Sequence, residues 1–211
     1  MNKLSISILA LFILSSATGA AASLYNEFEG YSKVRIALNG IEKEFKSYEV
    51  PGFVIKGSTV LPLRATAEML QSLVVWDNNT RVVTLYKPNV HMFVASEISK
   101  DYSLKTPFGV VKQGKTIDFV VFPQVDNLKT SISAMRLSIH SPSGKIIYPV
   151  NKDSEPLLEV PMTNHKENFW LPFKFENVLF DEAGNYVIKL EMKPVDDSDF
   201  REVSLKNISS E

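Results

Sequence analysis

Residues 169–175 have the sequence Phe-Trp-Leu-Pro-Phe-Lys-Phe, and this stretch decides the class of fold. Large apolar side chains stand at every second position and are separated by Trp170, Pro172 and Lys174. Because successive side chains of a β-strand point to opposite sides, this alternation predicts a strand with one buried face. The pattern places Phe169 and Phe173 in a core and Trp170 on the opposite, more open face.

The same alternation recurs elsewhere in the second half of the chain. It runs through Ile117–Val121 and Met135–Ile139, and a weaker strand at Leu157–Val160 is bounded by prolines. Flanking prolines favour the edge of a sheet, because proline cannot donate a backbone hydrogen bond. No convincing helix pattern occurs after Asn89, and the regular spacing of the strands is typical of a β-sandwich.

One turn indicates which type of β-sandwich the second half forms. Residues 182–186, Glu-Ala-Gly-Asn-Tyr, lead into a predicted strand at Val187–Met192. This turn resembles the corner of immunoglobulin-like sandwiches, in which the tyrosine hydroxyl hydrogen-bonds back across the turn. The resemblance predicts an all-β immunoglobulin-like sandwich over residues 107–211. It concerns the fold alone, because the cysteine and tryptophan spacing of true immunoglobulin domains is absent.

The first half predicts a small antiparallel sheet with one short helix. Alternating residues predict a strand through Val34–Leu38, and Asn39-Gly40 then favours a two-residue hairpin turn that returns through Ile41–Phe45. Further along the chain the predicted elements are a strand at Phe53–Ile55, a helix at Arg64–Gln71 that carries an apolar face, and strands at Leu73–Trp76 and Arg81–Tyr86.

Motifs in this region carry a family resemblance. They are Val34-x-Ile36-x-Leu38-Asn39-Gly40, Gly57-x-Thr59-Val60-Leu61-Pro62-Leu63-Arg64, Ala67-Glu68-x-Leu70, Val74-x-Trp76-Asp77 and Val83-Thr84-Leu85. In order and spacing they resemble the copper amine oxidase N-terminal domain, also called the stalk domain, over about residues 33–87. Two positions depart from the family pattern: Ser58 replaces its usual Arg, and Gln71 replaces its usual Gly. The resemblance implies an α+β stalk-like domain that protrudes away from any copper and quinone.

The resemblance does not extend to copper chemistry. The oxidases need a tyrosine followed by an acid as the quinone precursor, but the only Asn-Tyr pair here, at residues 185–186, is followed by Val187. They also need three histidine ligands, two of them in a His-x-His pair. His91, His140 and His165 are widely spaced. We therefore expect no metal and no cofactor.

Composition excludes several classes of function. The chain of 211 residues has 23 Lys plus Arg against 24 Asp plus Glu, too even a balance for a nucleic-acid binder. It contains no cysteine, which excludes thiol catalysis, disulfides and Cys-ligated metals. Residues 1–22 have a positive charge, an apolar run and Ala20-Ala21-Ala22, the pattern of a cleaved secretory signal peptide. We expect a secreted or cell-surface protein that has no stable membrane span after cleavage.

Few side chains point to chemistry. No nucleophile motif, zinc motif or phosphate loop occurs, so no catalytic residue is predicted. Asp196, Asp197 and Asp199 lack the spacing of a calcium loop and are interpreted as a solvated linker between strands. Trp76 is expected to pack in the core against the helix. Trp170 is the one residue that we predict as a candidate contact for a partner or a glycan.

Three functions stay open at this point. The first is a non-catalytic exported protein, a structural or interaction module of the bacterial cell envelope or extracellular space whose partner is an envelope protein or polysaccharide. The second is a glycan-binding module that uses exposed aromatic side chains of the sandwich. The third is a hydrolase whose site no linear pattern reveals. Residues 88–106 are either a free linker or a strand that joins the two domains.

Overall fold

The computed structural model describes residues 27–147 and 158–211. The predicted signal peptide and Leu157 lie outside the described residues. The described part of the chain is mostly β and contains one short helix. It divides into two compact units, and the boundary between them lies between Leu63 and Arg64.

The first unit is a set of short antiparallel strands. Four of them form one sheet in the order β1-β2-β5-β6, while β3 and β4 pair as a separate hairpin. The strands are β1 (Glu27–Phe28), β2 (Tyr31–Val34), β3 (Ala37–Leu38), β4 (Ile41–Glu42), β5 (Gly52–Ile55) and β6 (Ser58–Val60).

The predicted Asn-Gly hairpin turn is confirmed. Asn39 and Gly40 have φ angles of 52° and 82°, and Leu38 pairs with Ile41 across the turn. Positive φ at both central residues is the requirement of a type I′ turn. The prediction of one continuous strand through Val34–Leu38 was wrong, because β2 ends at Val34 and pairs with β5, whereas β3 belongs to the hairpin.

The only helix of the described residues is α1 (Leu63–Met69). It begins one residue before the predicted helix Arg64–Gln71 and ends two residues before the predicted end. Two residues after the end of α1, Gln71 adopts a left-handed conformation with φ of 53°. The Ser72 amide then donates to the Ala67 carbonyl at 2.8 Å, so Gln71 occupies the capping position that glycine usually fills. The hairpin of β7 (Leu73–Asp77) and β8 (Val82–Tyr86) follows.

The rest of the second unit consists of two five-stranded sheets. Sheet I has the order β10-β9-β12, with β15 and β16 both paired to the far side of β12. Sheet II has the order β11-β18-β17-β13-β14, so the predicted edge strand is an edge. The strands are β9 (Asn89–Ile98), β10 (Leu104–Pro107), β11 (Val110–Val111), β12 (Lys115–Asp126), β13 (Ile132–His140), β14 (Leu158–Pro161), β15 (Phe169–Trp170), β16 (Phe173–Phe180), β17 (Gly184–Pro194) and β18 (Arg201–Ser210).

The inner faces of the two sheets share one hydrophobic core, the arrangement of a β-sandwich. Phe119 and Val121 of sheet I and Leu137 and Leu190 of sheet II are fully buried in it. Phe119 also stacks on Phe175, with ring centroids 5.3 Å apart. Because alternate residues along each strand enter this core, the others form two outer faces.

The predicted tyrosine corner is also present. Tyr186 is fully buried, its hydroxyl accepts a hydrogen bond from the Glu182 amide at 2.9 Å, and it donates to Asp181 Oδ1 at 3.1 Å. The turn before β17 is therefore tied to the start of that strand.

The prediction that Trp76 is a core residue was wrong, since its side chain is 50% exposed. Leu73 is the fully buried member of β7, and period-two alternation sends Trp76 to the other side of that strand.

Candidate functional site: an aromatic cluster on the outer face of sheet I

The outer face of sheet I carries four aromatic side chains, which we call the aromatic cluster. Phe93 of β9 and Phe122 of β12 lie directly opposite each other in the strand register. Trp170 comes from β15, and Tyr102 comes from the loop between β9 and β10. Three separate parts of the chain therefore meet on one surface.

Three of the four rings of the cluster are in contact with one another. The Phe122 centroid lies 5.8 Å from that of Tyr102 and 6.1 Å from that of Trp170, and the Tyr102 and Trp170 centroids are 6.2 Å apart. Tyr102 and Trp170 are nearly perpendicular, at 73°. These distances are typical of favourable aromatic pairs. Phe122 is 7% exposed beneath the other two, which remain 51% and 53% exposed.

Tyr102 is held in an unusual backbone conformation. Its φ angle is 63°, the left-handed region that bulky residues rarely adopt. Hydrogen bonds brace the loop: the Tyr102 amide donates to the Ser99 carbonyl at 3.0 Å, and the Ser103 amide and hydroxyl donate to Asp101 Oδ1 at 3.1 and 2.7 Å. Hydrogen bonds from Ser103 lower the pKa of Asp101. Backbone strain of this kind concentrates at functional sites.

Polar side chains continue the same face beyond the aromatic rings, and we call them the polar strip. In the register of β9 and β12, His91 lies opposite Gln124 and Asn89 lies opposite Asp126. Gln124 also lies opposite Trp170 across β12 and β15. The Gln124 amide nitrogen donates to Asp126 Oδ2 at 2.9 Å, which fixes the orientation of both groups.

The other predicted candidates have internal partners. Asp197 accepts from Arg201 Nε at 2.9 Å, and Asp199 lies 3.5 Å from the same guanidinium, which also reaches Glu68 of α1 at 3.2 Å. Burial alone would raise the pKa of Asp197, but the hydrogen bonds from Arg201 and from the Asp199 amide lower it. The acidic turn between β17 and β18 is therefore organised around Arg201.

The polar groups near His140 do not form an accessible reactive site. Ser138 Oγ lies 3.0 Å from His140 Nε2, yet Ser138 is only 1% exposed and cannot meet a substrate. Glu182 accepts hydrogen bonds from the hydroxyls of Ser141 and Ser143, and these bonds lower its pKa. Within the described ranges, no three His, Asp or Glu side chains are grouped so that they could hold a metal ion.

The sequence predicted that Trp170 lies on the open face of its strand, and the structure agrees, but it did not predict the aromatic neighbours of Trp170. Phe93 and Phe122 could have been found as outward residues of alternating strands, in the same way as Trp170. Nothing local to Tyr102 marks it, because its role depends on a strand pairing that joins distant segments.

The comparisons with known proteins agree with the family resemblance found in the first half of the sequence. Residues 37–106 match the sequence profile of the Copper amine oxidase N-terminal domain. The resemblance to this family is therefore confirmed, for a domain that is itself non-catalytic. The matched region continues past residue 87 and includes β9 and Tyr102.

No curated protein sequence matches the chain. Among solved structures, one similar chain is the CARDB domain of a Pyrococcus furiosus protein, solved in complex with di-metal ions. The similarity covers 60% of this chain and 96% of that domain, with 13% identity and a TM-score of 0.31. Within the described residues, no helix is both long enough and apolar enough to span a membrane.

Proposed function

We propose that this protein is an exported, non-catalytic interaction module that binds a partner in the bacterial cell envelope or extracellular space through its aromatic cluster. One observation carries the proposal: two contacting rings, Tyr102 and Trp170, remain about half exposed on a braced and strained support. Tryptophan and tyrosine are enriched among the few residues that contribute most of the binding energy at protein interfaces. A rigid, exposed pair of this kind is suited to binding.

The absence of catalysis is part of the proposal. The polar residues nearest to a catalytic arrangement, Ser138, His140 and Glu182, are either buried or held by internal hydrogen bonds. The family matched by residues 37–106 is a non-catalytic domain, which supports the same view.

We further propose that residues 33–87 form a stalk-like α+β domain, residues 88–106 a joining strand and residues 107–211 an immunoglobulin-like sandwich. The Tyr186 hydrogen bonds support the immunoglobulin-like assignment. Strand β9 pairs with β12 over seven residue pairs, which supports a joining strand. A fragment that begins at residue 107 should then fail to fold, whereas one that begins at residue 88 should unfold cooperatively. The reverse result would refute the joining strand.

Export through residues 1–22 remains a proposal based on the sequence pattern. Expression in a bacterium followed by fractionation and N-terminal sequencing tests it directly. We expect the exported protein to begin at Ser23. An intact N-terminus in the cytoplasm would refute export without affecting the proposed binding surface.

The binding proposal is tested by sedimentation of the protein without residues 1–22 together with bacterial envelope fragments. The double substitution Tyr102→Ala/Trp170→Ala should reduce the retained fraction by about tenfold, because it removes both exposed rings. Trp76→Ala is the matched control, since Trp76 is 50% exposed and Trp170 is 53% exposed. Equal losses for the two changes would indicate nonspecific adhesion. No retention of the unaltered protein would refute the proposed function.

A further inference from the structure

We propose that the ligand of the aromatic cluster is an uncharged polysaccharide, one sugar ring of which packs into the corner formed by Tyr102 and Trp170 while its hydroxyl groups bind the polar strip. The inference rests on the proposed function and adds the chemical class of the partner. It is carried by the combination of stacking groups, hydrogen-bonding groups and charge on this face.

The stacking groups match the apolar faces of sugar rings. A pyranose ring presents C–H groups on its face, and these pack against the electron-rich face of an aromatic ring. Tyr102 and Trp170 are the two most exposed rings of the cluster. Their planes differ by 73°, so together they form a corner and not a flat platform. Such a corner contacts a single sugar ring from two directions.

The polar strip supplies the groups that hydroxyls need. Gln124 both donates and accepts, His91 carries one donor and one acceptor nitrogen when neutral, and Asp126 accepts only. Gln124 lies opposite Trp170 in the strand register, so the polar strip is directly adjacent to the aromatic corner on the same face of the sheet. The hydrogen bond from Gln124 to Asp126 orients both groups before a ligand arrives, which reduces the entropy lost on binding.

The charge of the surface favours an uncharged ligand. Lys105 on this sheet pairs with Glu97 at 3.1 Å, and Lys174 pairs with Glu176 at 2.6 Å. These cations are neutralised by their neighbours, so the face offers no net positive charge to a phosphate or sulfate polymer. The polar strip itself contains a single carboxylate, Asp126.

A proline-rich peptide is the main competing ligand, because such peptides also bind aromatic grooves. It would leave the polar strip largely unused, since an extended proline-rich segment has few donors to offer. The pairing of Gln124 and Asp126 beside Trp170 therefore favours a sugar over a peptide.

The first experiment separates these classes on envelope fragments. We expect retention to survive proteolytic removal of envelope proteins and to be unchanged between about 50 mM and 500 mM salt, because neither ion pairs nor a protein partner contribute. Loss after proteolysis would identify a protein partner and overturn the polysaccharide, while the proposed function would stand. Loss of retention at high salt would identify a charged polymer as the partner. That result would overturn the uncharged polysaccharide and leave the proposed function standing. No retention under any condition would refute the proposed function itself.

The second experiment uses defined ligands. Hexasaccharides of glucose, N-acetylglucosamine, mannose, xylose and galactose are titrated into the protein without residues 1–22, with calorimetric detection. We expect at least one to bind, and we expect Trp170→Ala and Gln124→Ala to weaken it by about tenfold each. Trp76→Ala and Asn207→Ala, which change an exposed tryptophan and an exposed amide elsewhere, should leave binding unchanged.

The corner geometry also predicts how affinity depends on ligand length. Because one sugar ring fills the corner, the trisaccharide should bind nearly as tightly as the hexasaccharide. A steady rise in affinity up to the hexasaccharide would refute the corner. Failure of every hexasaccharide to bind would overturn the inference, and thermal unfolding of each variant checks that it remains folded.

Discussion

The outer faces of the two sheets of the sandwich differ in how their side chains are used. On sheet II, Arg136 binds Glu191 through two hydrogen bonds of 2.7 and 3.0 Å and lies over the ring of Phe200 at 4.0 Å. Lys189 and Glu202 form a further ion pair at 3.8 Å. On sheet I, Tyr102 and Trp170 contact each other and stay about half exposed.

The difference shows that the same period-two alternation produces two kinds of surface. The charged groups of sheet II satisfy one another, so that face contributes mainly to stability. The aromatic rings of sheet I leave much of their area in water, a cost that a bound partner would remove. We therefore propose that the outer face of sheet II serves stability and that the outer face of sheet I serves binding.

Phe119→Ala should have the largest effect because it damages the core that both faces share. Phe119 is fully buried and stacks on Phe175, so we expect the free energy of unfolding to fall by about 4 kcal/mol. Chemical denaturation measures this, with Phe119→Leu as the conservative control at about 1 kcal/mol. A cost for the alanine variant within about 0.5 kcal/mol, as at surface positions, would contradict a single shared core.

Glu191→Ala should affect stability without affecting binding. It leaves the half-buried Arg136 guanidinium without its two hydrogen bonds, at a cost of about 2 kcal/mol in unfolding free energy. Glu191→Gln retains an acceptor and should cost less. If Glu191→Ala instead abolished envelope retention while the fold persisted, binding would belong to sheet II.

Tyr186→Phe should cost about 1 kcal/mol, since it leaves the Glu182 amide without its acceptor. Asp181→Asn preserves an acceptor for the same hydroxyl and should be milder. The denaturant midpoints of the two variants show which substitution lowers stability more. A neutral Tyr186→Phe would show that the corner does not stabilise the sandwich.

Trp170→Ala should weaken binding with little effect on stability, which is the opposite of the result expected for Glu191→Ala. Half of the side chain is already in water, so we expect a stability loss below about 1 kcal/mol. Envelope retention should nevertheless fall severalfold, by less than in the Tyr102→Ala/Trp170→Ala double variant. A large stability loss would mean that Trp170 mainly covers Phe122, with which it is in ring contact.

The smallest expected effect is a weakening of binding in acid. The hydrogen bonds from Ser103 lower the pKa of Asp101, so the carboxylate that braces the Tyr102 loop persists above about pH 4 and is lost as the pH falls further. Retention should then fall as the pH drops from about 5 to about 3. Asp101→Asn keeps an acceptor without a charge and should reduce this dependence. An unchanged acid profile in that variant would assign the dependence to another group.

Local patterns predicted much of the fold. The alternation through Ile117–Val121 and Met135–Ile139 placed strands where β12 and β13 lie, and it oriented Phe173 inward and Trp170 outward. These predictions succeeded because the period of a strand depends only on neighbouring residues. Trp76 was misplaced because the pattern did not reveal which side of β7 is buried.

The candidate site could be predicted only in part. Trp170 was identified from its own strand, but its contacts with Tyr102 and Phe122 depend on pairings among β9, β12 and β15. Pairing between distant segments is set by the packing of the whole sandwich and leaves no local signal. The left-handed backbone at Tyr102 likewise has no sequence mark, because the residue is neither Gly nor Asn.

Hydroxyl-radical footprinting of the protein without residues 1–22, free and bound to envelope fragments, compares the two faces in one measurement. We expect binding to protect Tyr102 and Trp170 from oxidation and to leave Phe200, on the other face, and Trp76, which is about equally exposed, unchanged. Protection of Phe200 with unaltered oxidation of Tyr102 and Trp170 would contradict the assignment of binding to sheet I.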